Sequence, residues 1–198
     1  MSSSTLILAS ASPRREKLLR QLGVKFVTEP QGIVEEKRID ETPEKFVKRM
    51  AEEKASSALY KRKENAIVVL AADTIVVCDE QILGKPKDKS DGIKMLLSLS
   101  NKTHRVLSAI TVANTRRYKS TISDTCVLFR KISEIEAEYY WGSGEPEGKA
   151  GGYAIQGYGA VFVQSINGSY SGVMGLPLFQ TAQLLSEFGI YSWHPASE

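Results

Sequence analysis

Imidazole and thiolate are scarce in this 198-residue chain, which has two histidines, His104 and His194, and two cysteines, Cys78 and Cys126. Neither cysteine belongs to a C-x-x-C pair, so a disulfide framework is not expected. The same scarcity argues against a zinc centre. A serine triad would depend on His104, because His194 lies in the tail, and no G-x-S-x-G elbow accompanies it. Walker A loops and G-x-G-x-x-G fingerprints are missing as well. No apolar run approaches the roughly 20 residues of a membrane span. The stretch Met1-Ser2-Ser3-Ser4 brings no basic region ahead of its short apolar run, so a cytoplasmic location away from membranes is expected. An excess of one charge is also lacking: 26 basic against 23 acidic residues leave +3, too mild a balance to argue for nucleic acid. The basic runs Lys61-Arg62-Lys63 and Arg116-Arg117 carry no interleaved aromatics and read as solvated faces. With no internal repeat and no long Pro-, Gly- or Ser-rich linker, residues 1–198 are expected to form a single domain.

What is present, 42% hydrophobic and 25% charged, is the composition of an ordinary soluble globular protein. The chain is organised around Leu6-Ile7-Leu8-Ala9-Ser10-Ala11-Ser12-Pro13-Arg14-Arg15. The apolar run predicts a buried strand, and Ser12-Pro13 predicts a helix start with Ser12 as N-cap and Pro13 at the first helical position. Leu18, Leu19 and Leu22 give that helix its apolar face, and Gly23 is placed as its C′ residue. A helix N-terminus carrying two arginines favours an anion such as phosphate. The bland alternative is an ordinary strand-to-helix turn with both arginines solvated. Thr42-Pro43-Glu44 opens a second helix in which Val47, Met50, Ala51, Lys54 and Ala58 share one face. Lys54 is therefore a charge on an apolar stripe, either snorkelling from its edge or holding an ammonium at the mouth of a cleft.

Ala66 to Ala72 is the most strand-like run, with Ile67-Val68-Val69-Leu70 continuous as in a sheet covered on both faces. Asp73-Thr74 interrupts it before Ile75 to Cys78, and a buried acid there must be paired, hydrated, metal-bound or capping a turn. A hairpin turn at Asp79 to Gln81 comes next, then Gly84-Lys85-Pro86 and a helix over 91–100. Two strands are expected over 104–114 and 119–129. Ser133-Glu134-Ile135-Glu136 is a capping box. Residues 142–159 read as a glycine-rich loop, either admitting a ligand close to backbone or simply long. A hairpin over 160–173 around Asn167-Gly168 precedes a last helix beginning near Leu176-Pro177. The expected class is α/β, a mixed and largely twisted sheet with flanking helices and two lobes around a central cleft. The chemistry left is hard oxygen ligands, Glu35 and Asp73, with the cations Arg14, Lys54 and Lys85. That set suits Mg²⁺ or Mn²⁺ and phosphoryl or nucleotidyl chemistry.

Leu8 to Arg15, Ala72-Asp73-Thr74, Gly84-Lys85-Pro86 and Lys149-Ala150-Gly151-Gly152-Tyr153-Ala154-Ile155-Gln156-Gly157 together resemble the Maf family of nucleoside triphosphate pyrophosphatases, first known as septum-formation inhibitors. The resemblance covers about Leu6 to Gly189. It implies a fold related to inosine triphosphate pyrophosphatases and cleavage between the α- and β-phosphates, giving a monophosphate and pyrophosphate with a divalent cation. Carried over by motif, Asp73 matches the catalytic acid–base residue and Glu35 its partner at the metal, with Lys54 and Lys85 as catalytic cations. Ser10, Ser12, Arg14 and Arg15 fall in the phosphate-binding turn. Thr74 and Gln156, with Arg14, mark the branch acting on dTTP and UTP, and argue against the branch acting on 7-methyl-GTP. Gly148 and Gly152 depart from the family pattern, where an acidic residue and an alanine are common. A rival from another class is a nucleotide-binding regulator of septation that needs no turnover. An acid and a base on apolar elements, Asp73 and Lys54, favour the enzyme. Family members often form homodimers, but no exposed apolar stripe in the sequence can be assigned to one.

Overall fold

The computed structural model describes residues 5–60, 62 and 66–193. His194, and Lys61 and Lys63 of the basic run, lie outside them. Leu6, Ile7 and Leu8 are all buried in β1 (Thr5–Leu8), which pairs in parallel with β2 (Phe26–Thr28) and β3 (Ile67–Cys78). Strands covered on both faces carry such unbroken apolar runs. Past them come β4 (Gln81–Leu83), β5 (Thr103–Ala113), β6 (Tyr118–Phe129) and β7 (Val163–Asn167). The sheet order is β2-β1-β3-β5-β6-β7, with β4 paired to β3. Antiparallel pairing joins β3 to β4 and β6 to β7, so the sheet is mixed. The helices are α1 (Pro13–Arg20), α2 (Pro43–Tyr60), α3 (Lys89–Leu99), α4 (Glu134–Gly142), α5 (Tyr170–Met174) and α6 (Leu178–Glu187). This is the mixed α/β architecture expected from the alternation of patterns. No helix among the described residues is long and apolar enough to cross a membrane.

The chain divides into two compact units. The first comprises the chain through Asp73, Ser108–Ile122 and the chain from Gly175 onward. Its core includes Ile7 and Ala9 beside Ile67, Val69 and Ala71 of β3, with Ala55 and Ala58 of α2 packed on them. Small residues on the helix let its backbone lie close to the sheet. Every member of the predicted α2 stripe, Val47, Met50, Ala51, Lys54 and Ala58, is buried. The backbone of α1 starts at Pro13 as expected, but Ser12 caps by position only and its side chain makes no capping bond. Gln21 is the C-cap, so Gly23, at φ +67°, stands one residue beyond C′.

The second unit comprises Thr74–Leu107 and Ser123–Met174. Leu96, Leu99, Val127, Phe129, Tyr140, Tyr153 and Phe162 belong to its core. Caps set its helices: Asp88 accepts from Asp91 N at the start of α3, and Ser133 with Glu136 forms the predicted capping box of α4. Asp79 and Glu80, with φ of 47° and 61°, make the tight β3–β4 turn. One of the alternatives for Asp73 falls away, and one expectation fails. Strand β3 runs unbroken through Asp73 and Thr74, so Asp73 caps no turn. The hairpin over 160–173 does not form: Tyr158–Phe162 is a 3₁₀ turn, Val163–Asn167 pairs with β6, and Tyr170–Met174 is helical. Ser169 donates its backbone N–H to Thr125 Oγ1 at 3.0 Å and accepts from Gly172 N at 3.0 Å, capping α5 where a return strand was expected.

His104 lies in this core 1% exposed, its Nε2 2.8 Å from Tyr153 Oη and its ring edge-on to Phe129. Burial lowers its pKa from 6.5 to about 4. Between those values the unfolded chain binds a proton that the folded one does not, so folding stability is lost as pH drops from 6.5 toward 4. The expected loss from this group alone is about 3 kcal/mol by pH 4. His104→Gln lacks that slope, whatever its stability at pH 7; urea titrations of both proteins from pH 7 to pH 4 measure the difference.

Candidate active site

The first unit holds seven of the sequence-selected residues, Ser10, Ser12, Arg14, Arg15, Glu35, Lys54 and Asp73. Strand β3 delivers Asp73 and helix α2 delivers Lys54, each 7% exposed. Lys54 Nζ lies 2.7 Å from Asp73 Oδ1 and 2.6 Å from Glu35 Oε1. The ammonium therefore does not snorkel into water. It bridges two carboxylates, one buried and one exposed. Just past β1, Ser10 Oγ accepts from Ser12 N at 3.2 Å and from Arg15 Nη1 at 3.3 Å, and Arg15 Nε donates to Gly175 O at 2.9 Å. Arg15, and not Arg14, is the arginine tied into the turn. Burial depresses its pKa while the nearby Asp73 opposes the shift; burial also depresses that of Arg14. At Asp73 burial raises the pKa, and Lys54 and then Arg15 pull it back by favouring the carboxylate. Lys54 and Arg15 thus compensate the buried Asp73, as burial of charge requires, while Arg14 adds a further positive charge beside Arg15.

Glu35 lies in a segment without regular structure, and ionic tethers to α2 explain how it reaches Lys54. Arg49 donates to both oxygens of Glu41, at 2.6 and 2.7 Å, and to the Glu36 carbonyl at 2.9 Å. Such bidentate pairing fixes orientation as well as distance. The Arg49 guanidinium holds the Glu41 carboxyl at a pKa of about 2. Ser57 donates to Gln31 Oε1 at 3.0 Å, and Arg62 pairs with Glu29. The Glu41–Arg49 clamp was missed in the sequence, because eight residues across a helix start match no helical pair spacing.

The second unit carries Thr74, Lys85 and Gln156. Thr74 is half-buried; Lys85 and Gln156 are exposed. Lys85 lies between β4 and α3 in a segment bonded to the glycine-rich loop, Gly151 N donating to Gly84 O at 3.0 Å. Gly151 has φ +69°, and a Cβ there would lie 3.0 Å from Val76 Cγ2. Both facts favour glycine at that position.

Among the described residues, no group of three His, Cys, Asp or Glu side chains is placed to hold a metal ion. The donors that converge are Glu35 and Asp73, two hard oxygen ligands sharing one ammonium. Such a pair fits Mg²⁺ or Mn²⁺, which take few protein ligands and complete their shell with water and phosphate oxygens.

A mixed α/β protein with a buried lysine–carboxylate cluster beside an arginine-bearing strand-to-helix turn has the charges to handle a polyanion. The chain belongs to the Maf family: the family model described as Maf-like protein matches residues 5–188. A dTTP/UTP pyrophosphatase of Saccharophagus degradans is 46% identical over 193 residues, 96% of this chain and 92% of that protein. Its counterpart from Alkalilimnicola ehrlichii is 48% identical over 189 residues, 93% of each. That of Vibrio vulnificus is 48% identical over 183 residues, 92% of this chain and 98% of its own. Among solved structures, the Ham1 protein of Staphylococcus aureus aligns with 66% of this chain and 72% of that one, at 14% identity and a TM-score of 0.45.

Proposed function

We propose that this chain, a single Maf domain, is a cytoplasmic nucleoside triphosphate pyrophosphatase that hydrolyses dTTP and UTP to the monophosphate and pyrophosphate. The observation that carries the reading is the Lys54 ammonium held between Asp73 and Glu35, beside Arg15. Relatives that bear this activity in their names and align over nine-tenths of the chain support it. In this reading Asp73 takes the proton of the attacking water, and Lys54 favours the ionised carboxylate that can do so. Glu35 and Asp73 would hold a divalent cation, Mg²⁺ or Mn²⁺, which supplies Lewis-acid polarisation of phosphate. Ser10, Ser12, Arg14 and Arg15 orient phosphate oxygens, and Lys85 offsets charge on the departing pyrophosphate. Thr74 and Gln156 meet the base, the Gln156 amide acting as donor and acceptor on the edge of uracil or thymine.

The test is pyrophosphate release from UTP, dTTP, CTP, GTP and 7-methyl-GTP, with Mg²⁺, with Mn²⁺ and with chelator. UTP and dTTP are expected to lead, and chelator to stop turnover. Binding without pyrophosphate would identify a non-catalytic regulator, and a lead for 7-methyl-GTP the other branch. Gln156→Ala is expected to reduce the preference for UTP over CTP by about tenfold, the worth of one well-placed amide pairing. An unchanged ranking removes Gln156 from base selection.

A further inference from the structure

The turn that presents Gln156 is held on both sides of that residue by one carboxylate–phenol pair. Tyr140 of α4, 6% exposed, donates its hydroxyl to Glu145 Oε1 at 2.7 Å and accepts from Ala154 N at 3.1 Å. Glu145 in turn accepts from Gly159 N through Oε1 at 2.9 Å and from Tyr158 N through Oε2 at 3.0 Å. The bonds fall two residues before Gln156, and two and three residues after it. Between them Gly157 N returns to Ala154 O at 3.2 Å, closing the turn. A Cβ at Gly157 would lie 1.9 Å from Glu145 Oε2, so only glycine lets the carboxylate come so near. Burial pushes the Glu145 pKa up, but the bonds from Gly159, Tyr140 and Tyr158 outweigh it and hold it below the ordinary value. The group is an ionised acceptor with three donors aimed at it, a strong arrangement in a half-buried place.

We propose that Glu145, together with Tyr140, is a positioning residue that fixes the Gln156 turn and thereby sets which nucleobase the enzyme accepts. This rests on the reading that Gln156 meets the base. Discrimination by hydrogen bonds depends on amide placement to within about 1 Å, so loss of the brace acts on selection more than on phosphate chemistry.

The test compares kcat and KM for UTP, dTTP and CTP in the wild type, Gln156→Ala, Glu145→Ala, Tyr140→Phe and the double variant Glu145→Ala/Gln156→Ala. Glu145→Ala is expected to raise KM for UTP about tenfold and to flatten the UTP-over-CTP preference, with kcat for UTP within about threefold of wild type. Tyr140→Phe moves the same way by less, and Glu145→Gln, which keeps one acceptor oxygen, recovers part of the preference. Adding Glu145→Ala to Gln156→Ala changes the ranking no further. Should Glu145→Ala fail to fold, Glu145→Gln and Tyr140→Phe are read by the same criterion. Variants at 145 and 140 that keep the wild-type ranking while Gln156→Ala loses it overturn the proposal, as does an equal fall in kcat on every nucleotide. A Gln156→Ala enzyme with the wild-type ranking instead removes the base-reading role itself, and this brace with it.

Discussion

Replacing Asp73 by Asn is expected to lower kcat for UTP and dTTP by at least about 100-fold, the usual worth of a positioned acid–base group. The substitution is nearly isosteric and keeps an oxygen in β3, so the sheet should hold. What disappears is an ionisable oxygen paired with Lys54 at 2.7 Å. Two roles are carried by that atom in the proposed chemistry, proton acceptor and cation ligand, and they separate in a metal titration. If only cation holding is lost, raising Mg²⁺ or Mn²⁺ restores turnover, since a neutral amide oxygen remains a weak ligand. If the proton acceptor is lost, kcat stays low at every metal concentration. Near-normal turnover at ordinary Mg²⁺ would remove Asp73 from the chemistry altogether.

Lys54→Met is expected to cost about 3–5 kcal/mol of folding stability, because it strands a charge that the interior cannot hydrate. Met matches the stem of Lys54, so the α2 stripe still packs on β3, and the deficit isolates the ammonium. Asp73, 7% exposed, then keeps Arg15 as a compensating cation, while Glu35 is exposed and can turn to water. Combining Lys54→Met with Asp73→Asn should recover much of the loss, since a neutral amide in that place demands less than a bare carboxylate. Urea denaturation of the two single variants and the double variant measures this coupling. A Lys54→Met protein as stable as the wild type would mean that the pair contributes nothing to the fold.

The strands and helices of the first unit were legible because burial on both faces leaves an apolar run and burial on one face leaves a stripe. Leu6 to Leu8, Ile67 to Ala72 and the Val47 to Ala58 face show this directly. The helix starts at Pro13 and Pro43 and the capping box at Ser133 were legible because they are local. What the sequence left open was tertiary. Lys54 and Asp73 stand 19 residues apart on a helix and a strand, and only their packing decides between a snorkelling lysine and a buried pair. Adjacent residues on a helix point about 100° apart, so nothing in Ser12-Pro13-Arg14-Arg15 told which guanidinium would bond Ser10 and Gly175. Asn167-Gly168 has the grammar of a two-residue turn, yet Thr125 on β6 takes the Ser169 N–H and turns the chain into α5. The Tyr140–Glu145 brace was missed because one partner lies near the end of α4 and the other opens a loop read for its glycines and its family motif.

The two carboxylates on Lys54 are suspended very differently, and heat and salt should reach them by separate routes. Asp73 rides on a strand of the core and gives way only when the sheet itself melts. Glu35 hangs from a segment that Arg49 ties through the largely buried Glu41, and that Arg38 ties to Glu53 through a pair that meets solvent and whose attraction fades as ions screen it. High ionic strength can thus slacken one arm of the site while the other stays taut, leaving a protein that is fully folded but half-assembled where it works.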